Sequence, residues 1–263
     1  MRKLVTFLLS LLLVIRISAG DGFCNIRNLA FQSGERLEYI IFYNVLGIYV
    51  HAGDASFNAN IERMGNKTVY HLVGNGSSNS SYDWIFKVRD KYESYIDTAT
   101  LQPYKFIRDV QEGNFKMYDN VSFNQQTNTA VSTKGVTKVP ECIQDVLSTI
   151  YYARNINFNS YNVGDKIPFS MYLDNEVFNL YVKYLGKEKI KTKYGKFNAI
   201  KFKPLLIKGT IFEGGEKMTV WVSDDNNHIP LRIESPISVG SIKVDMMGYR
   251  NLRHPLTSML SFR

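Results

Sequence analysis

"YKFIRDVQEGNFKMYDNVSF", residues Tyr104–Phe123, decides the fold. Two runs rich in aromatic and β-branched residues flank Glu112-Gly113-Asn114, a short polar break with a glycine in it. That order reads as two strands paired through a tight turn. The same order repeats along the chain. "DASFNANIER" and "TVYHLVGNG" join at Gly65-Asn66. "KIPFSMYLDNEVFNLYVKYLG" turns at Asp174-Asn175, and "MTVWVSDDNNHIPLRIES" at Asp224–Asn227. "ERLEYIIFYNVLGIYV" (Glu35–Val50) reads as one strand with Gly47 as a bulge. "WIFKVRDKYESYID" and "KFNAIKFKPLLI" add strands, and "GSIKVDMMGY" sets Ile242, Val244 and Met246 on one face. A succession of antiparallel hairpins predicts a mainly β protein: a large curved sheet, an open barrel or a sandwich.

One segment breaks the pattern. "VPECIQDVLSTIYYAR" (Val139–Arg154) places Ile143, Val146, Leu147, Ile150 and Tyr151 at helical spacing. Pro140 suits a first helical position and Glu141 the positive end, so a central amphipathic helix is expected over about 140–154. Gln144, Asp145 and Ser148 fall on its polar side, where solvent is expected. The helix either covers the sheet's concave face or lines a ligand cavity, with Asp145 or Tyr152 at its mouth. The five apolar residues are then the cavity lining.

The first twenty residues are not read as fold. Arg2 and Lys3 precede an apolar run from Leu4 to Ile15, and Ser18, Ala19 and Gly20 follow. That is the order of a secretory signal peptide, with cleavage after Ala19 or Gly20. The run of about 12 residues is short of the roughly 20 that span a bilayer. No later run approaches that length, so an integral membrane protein is not expected. Asp21, Gly22 and Phe23 before Cys24 do not suit a lipid-attachment site. Residues 21–263 are expected as a single β domain, with 251–263 a loosely ordered tail. The formal charge is +8; three cations and no acid leave with residues 1–20, so +5 remains. That mild excess, with no interleaved arginine and aromatic pattern, argues against nucleic acid.

Cys24 and Cys142 are the only cysteines. Export to an oxidising compartment makes a disulfide between them the expected state. It would close a loop of over about 100 residues, for which chain entropy gives about 4–5 kcal/mol.

Catalytic signatures are absent from the sequence. His51, His71, His228 and His254 hold no ligand spacing with one another or with a cysteine. There is neither an HExxH nor a GxSxG motif. "GNGSSNSS" (Gly74–Ser81) has no lysine in phosphate-loop spacing and reads as a flexible loop. "SDDNNH" (Ser223–His228) lacks the alternation and closing glutamate of a calcium loop and reads as a turn. No catalytic residue, metal or cofactor is expected. Lys187, Lys189, Lys191 and Lys193 alternate, which on a strand makes one basic stripe. Such stripes usually protect a solvated edge. The alternative is an anionic partner such as lipopolysaccharide phosphates or an acidic glycan.

"GERLEYIIFYNVLGIYVHAG", "QDVLSTIYYAR" and "VWVSDDNNHIPLRIESPISVGSIKVDM" together resemble the family known as domain of unknown function 3108, over about Gly34 to Tyr249. Cys24 and "NLAFQSGE" give the chain a likeness to its Bacteroidetes members. The resemblance implies an exported, mainly β protein and brings no reaction. It also suggests a likeness to periplasmic lipoprotein carriers, whose curved sheet wraps a helix over an apolar cavity. Three functions follow. The first is a non-catalytic envelope protein in the periplasm that binds or carries an apolar or amphipathic ligand, with lipid, lipoprotein or anionic glycan as partner. The second is an envelope scaffold, and the third a hydrolase of envelope glycans or lipids.

Overall fold

The computed structural model describes residues 26–207, 214–237 and 240–262. The expected signal segment and Cys24 lie outside the described residues. Among these residues the strands form one continuous antiparallel sheet, and it is not closed into a barrel. The first arm is a meander: β1 (Glu35–Val45), β2 (Ile48–Met64), β3 (Lys67–Ser78), β4 (Val88–Asp97), β5 (Pro103–Glu112), β6 (Phe115–Asn124), β7 (Thr129–Ser132) and β8 (Gly135–Lys138). A helix, α1 (Val146–Ala153), follows. The second arm is β9 (Lys166–Leu173), β10 (Glu176–Lys191), β11 (Gly195–Pro204), β12 (Thr219–Ser223), β13 (Pro230–Pro236) and β14 (Ser241–Arg250). β14 returns to pair with β1, Arg36 opposite Arg250, so β8 and β9 are the sheet's two edges.

The turns at Gly65-Asn66, Glu112–Asn114 and Asp174-Asn175 fall where the sequence placed them. Asp174 (φ 53°) and Asn175 (φ 65°) take the left-handed pair of conformations that a two-residue hairpin needs. Glu35–Val50 differs: it is two strands with a hairpin at Leu46 (φ 50°) and Gly47 (φ 85°), not one strand with a bulge. The turn carries no polar residue at its apex, so composition hid it.

α1 is shorter than expected. The segment 139–145 is not helical: Glu141 and Cys142 make a turn, and Gln144 bridges to the β9 edge, its N–H donating to Ser170 O at 3.0 Å and Tyr172 N–H donating to Gln144 O at 2.8 Å. Cys142 has a left-handed backbone (φ 58°), which excludes helix there. Asp145 is the N-cap. Its carboxylate accepts from Leu147 N and Ser148 N, both at 2.8 Å, and its own N–H donates to Ser148 Oγ at 2.8 Å. This reciprocal capping box outcompetes Pro140 as a start signal. Gln144, Asp145 and Ser148 are fully buried, not solvated, because sheet covers that side of the helix too. Eight residues make a helix that is marginal alone, so packing holds it.

That packing is the main core. Leu147, Tyr151 and Tyr152 of α1 meet Tyr70 and Leu72 of β3, Ile96 of β4, Ile167 of β9, Val182 of β10 and Phe202 of β11 in one cluster. Both arms therefore curl about the helix. A second cluster uses the alternate residues of β11 and β12, Phe197, Ala199 and Trp221, with Leu231 and Met246. A buried ion pair ties α1 to β1: Arg154 Nη1 and Nη2 reach Glu35 Oε1 and Oε2 at 2.5 and 2.9 Å. Arg154 also donates to Asn227 O at 3.0 Å and Ala30 O at 3.3 Å.

The C-terminal stretch, expected as a loose tail, is fixed. β15 (Met259–Phe262) pairs with β11. The Asp224–Asn227 turn holds it: Asn227 Nδ2 donates to His254 O at 3.0 Å and Ser258 N–H to Asp225 Oδ2 at 3.2 Å. Side-chain acceptors that looked like turn residues are spent on this tether.

Candidate functional site: the open half of the concave sheet

Residues directly opposite each other on neighbouring strands share a face. Across β2 to β6, Ala59, Leu72, Ser94, Phe106 and Val121 make one inward row. All five are buried under α1, and Ser94 Oγ donates to Asp145 at 2.6 Å. Phe57, Gly74, Tyr92, Arg108 and Asp119 form the next row, and Ala55, Gly76, Asp90, Val110 and Met117 the one after. Here the filling stops. Leu147 reaches Gly74, where an added Cβ would lie 3.4 Å from its Cδ1. At Gly76 an added Cβ would meet nothing within 4 Å. Ala55, Asp90 and Tyr92 are only half-buried. The stretch Gly74–Ser78, read from composition as a flexible loop, is thus the end of β3, and its glycines face the concavity.

The open half is polar within an apolar frame. Arg108 is buried, with an ion pair to Asp174 in the β9–β10 turn and a contact to Met117 Sδ. Its Nε has no hydrogen-bond partner among the described residues. Asp119 stands opposite it on β6 and is buried as well. Burial, reinforced by the charge of Glu112, pushes Asp90 up to about 6. Burial pushes the Tyr92 hydroxyl up to about 12, so it stays protonated. The arrangement offers a cation, a titratable carboxyl and a phenol beside free space.

The residues singled out from sequence are distributed as follows. Leu147 and Tyr151 are in the main core, with Ile150 half-buried against it. Ile143 is in a separate cluster with Phe106, Val121 and Tyr172, and Val146 packs beside it. The five thus divide between two clusters, Ile143 and Val146 in one and Leu147, Ile150 and Tyr151 in the other. Tyr152 and Asp145 are buried, and burial pushes Asp145 up to about 6 against its hydrogen bonds. Asp145 and Asp225 sit in separate networks. Lys187, Lys189 and Lys191 are exposed on β10, with Lys187 paired to Asp224 at 2.8 Å. Lys193 is beyond the strand, its Nζ 5.3 Å from the Phe42 ring centroid. Cys142 is described and its expected partner is not.

On the outward face of β1–β5, a groove of about 870 Å³ is bordered by Arg36, Glu38, Asp54, Arg89, Lys91 and Asp109. Arg36 and Glu38 pair at 2.8 Å, and that bond holds the Glu38 carboxyl below its usual range. Nearby, His71 lies between Glu62 and Glu93 at 2.9 and 2.8 Å and stacks on Tyr95. Among the described residues, no group of three His, Cys, Asp or Glu could hold a metal ion, and no helix is long and apolar enough to cross a membrane.

One solved structure shares this architecture, and two others match more distantly. A beta-barrel-like protein of domain of unknown function DUF1849 from Brucella abortus superposes with a TM-score of 0.58 at 7% identity, covering 86% of this chain and 99% of the other. A protein from Bacteroides fragilis described as exported, with a YmcC-like fold, matches at 11% identity and TM-score 0.34 over 86% and 99% of the two chains. A protein from Parabacteroides distasonis described as a lipoprotein matches at 13% and 0.32 over 85% and 100%. No functionally curated protein matches. The model of the family described as "Protein of unknown function (DUF3108)" matches residues 38–247. That span runs from β1 to β14 and takes in α1 and both arms that curl about it, so the chain belongs to the DUF3108 family.

Proposed function

We propose that the protein is exported, loses residues 1–20 and acts in the periplasm or cell envelope as a non-catalytic binding protein. Its ligand is amphipathic and sits in the open half of the concavity, with its apolar part over Gly76 and an anionic head towards Arg108. The observation that carries this reading is the free space at Gly76 on the same concave face, one row on from Arg108, a buried guanidinium with an unpartnered Nε. A buried donor without a partner costs roughly 1–3 kcal/mol, which a ligand oxyanion would recover. A disulfide between Cys24 and Cys142 belongs to the same reading.

Native mass spectrometry of protein purified from its own envelope fraction tests it. A chain starting at Gly20 or Asp21 with a retained lipid-sized adduct is expected. Gly76→Phe should lose the adduct, and should abolish uptake of the fluorescent apolar probe N-phenylnaphthylamine. An intact Met1, or a bare chain that takes up no probe, would refute it. A second reading, an envelope scaffold for an anionic partner, is supported by the exposed set Lys187, Lys189 and Lys191.

A further inference from the structure

The open end of the concavity has an apolar rim. The β1–β2 hairpin, the β3–β4 connection and the β5–β6 turn all lie at the end away from α1. At their tips Leu46 is 98% exposed, Trp84 82%, Ile48 65% and Ile85 63%, with Phe115 beside them at 40%. Leu46 is the most telling. It occupies a left-handed turn position that asparagine or glycine fills more easily, and it packs on nothing there. A leucine at that place lowers the stability of the isolated hairpin and is explained by what the hairpin touches.

Charge identifies the occupant. Lys87 and Lys116 are exposed just behind the tips. Lys243 Nζ sits 3.9 Å from the ring centroid of Tyr49. Asp83, the acid of the β3–β4 connection, is engaged by Arg89 at 2.6 Å. The rim thus presents aliphatic and indole tips first, then Lys87, Lys116 and Lys243, with Arg89 behind them, against the acids Asp83 and Glu112, a net cationic band. That is the layering of a segment that enters the boundary between acyl chains and anionic headgroups.

We propose that this end of the molecule docks on an anionic lipid bilayer through Leu46, Ile48, Trp84 and Ile85, with Lys87 and Lys116 at headgroup level. The docked pose turns the mouth of the concavity towards the membrane. The proposal does not depend on what the concavity holds.

Flotation of the full exported chain with vesicles tests it. Wild type is expected to float with phosphatidylethanolamine vesicles containing phosphatidylglycerol, and at least tenfold less with pure phosphatidylcholine. Leu46→Asn with Trp84→Ser should reduce flotation at least tenfold while melting no lower than wild type, because asparagine suits the turn. Gly76→Phe and Arg108→Met should float as wild type does, which separates docking from ligand binding. Wild type that stays unbound with anionic vesicles, or a double variant that floats equally, would overturn the proposal. So would rim-dependent dimerisation by ultracentrifugation without vesicle binding, which would assign the rim to a second copy.

Discussion

Replacing Arg154 by methionine should be among the most destabilising single changes in the molecule. Its side chain is 2% exposed and that of Glu35 is 0% exposed. The change strands a carboxylate in the core and removes the donors to Asn227 O and Ala30 O. It also removes a cation held about 5.5 Å from the Phe31 ring centroid and 5.4 Å from that of Tyr151. Breaking a buried pair from one side costs about 3–5 kcal/mol, a large part of the roughly 5–15 kcal/mol of a typical domain. Removing both charges, Arg154→Met with Glu35→Leu, leaves no stranded ion and should cost at least about 2 kcal/mol less than the sum of the single changes. Urea denaturation at neutral pH measures each stability, read from the emission of Trp221, which is 8% exposed in the fold. A loss below about 1 kcal/mol for Arg154→Met, or additive single changes, would refute the view that this pair clamps helix to sheet.

Four further outcomes are expected. Leu147→Ala should cost about 2–5 kcal/mol in the same assay, since the side chain is 1% exposed. Asp145 holds its proton to about 6 in the fold, against 3.8 ordinarily, so the native state binds the extra proton and stability falls as pH rises from about 4 to about 6; Asp145→Asn should flatten that slope, worth at most about 3 kcal/mol, and parallel pH profiles would contradict it. Gly240→Ala should lose about 1–3 kcal/mol by thermal melting, because φ is 80° and a Cβ would lie 2.2 Å from Asn44 O. Non-reducing peptide mapping of exported protein should recover Cys24 linked to Cys142, whereas alkylation of both thiols in the native protein would exclude the bond.

The hairpins were legible where their turns carry glycine, aspartate or asparagine, as at Gly65-Asn66 and Asp174-Asn175. Leu46-Gly47 was not, because an apolar turn residue makes two strands look like one. Helical spacing identified α1, but spacing says which residues are apolar and not whether the other side is covered. Spacing alone therefore leaves Asp145 and Ser148 on a side where solvent is expected. The open half of the concavity was hidden for a related reason. Alternation is read by sending polar residues outward, yet Asp90, Arg108 and Asp119 occupy inward positions. Gly74 and Gly76 were disguised by the serine-rich sequence around them. A run of inward positions filled by glycine and charge on adjoining strands is the signal that was available, and it needs the register before it can be seen.

The pairing of β1 with β14 bears on how the chain reaches its fold. Each arm is a meander whose strands meet their sequence neighbours, so most pairings form over short separations. Two pairings depart from that rule: β15 with β11, and, over the longest separation, Arg36 with Arg250 across nearly the whole length of the chain. Closing so long a loop carries the largest entropic cost of any pairing in the sheet, and long-range pairing slows folding. The two meanders should therefore form early and independently, and their union along β1 and β14 should set the overall rate. Until that union, both strands present open edges, so the slow step is also the period of greatest exposure to aggregation.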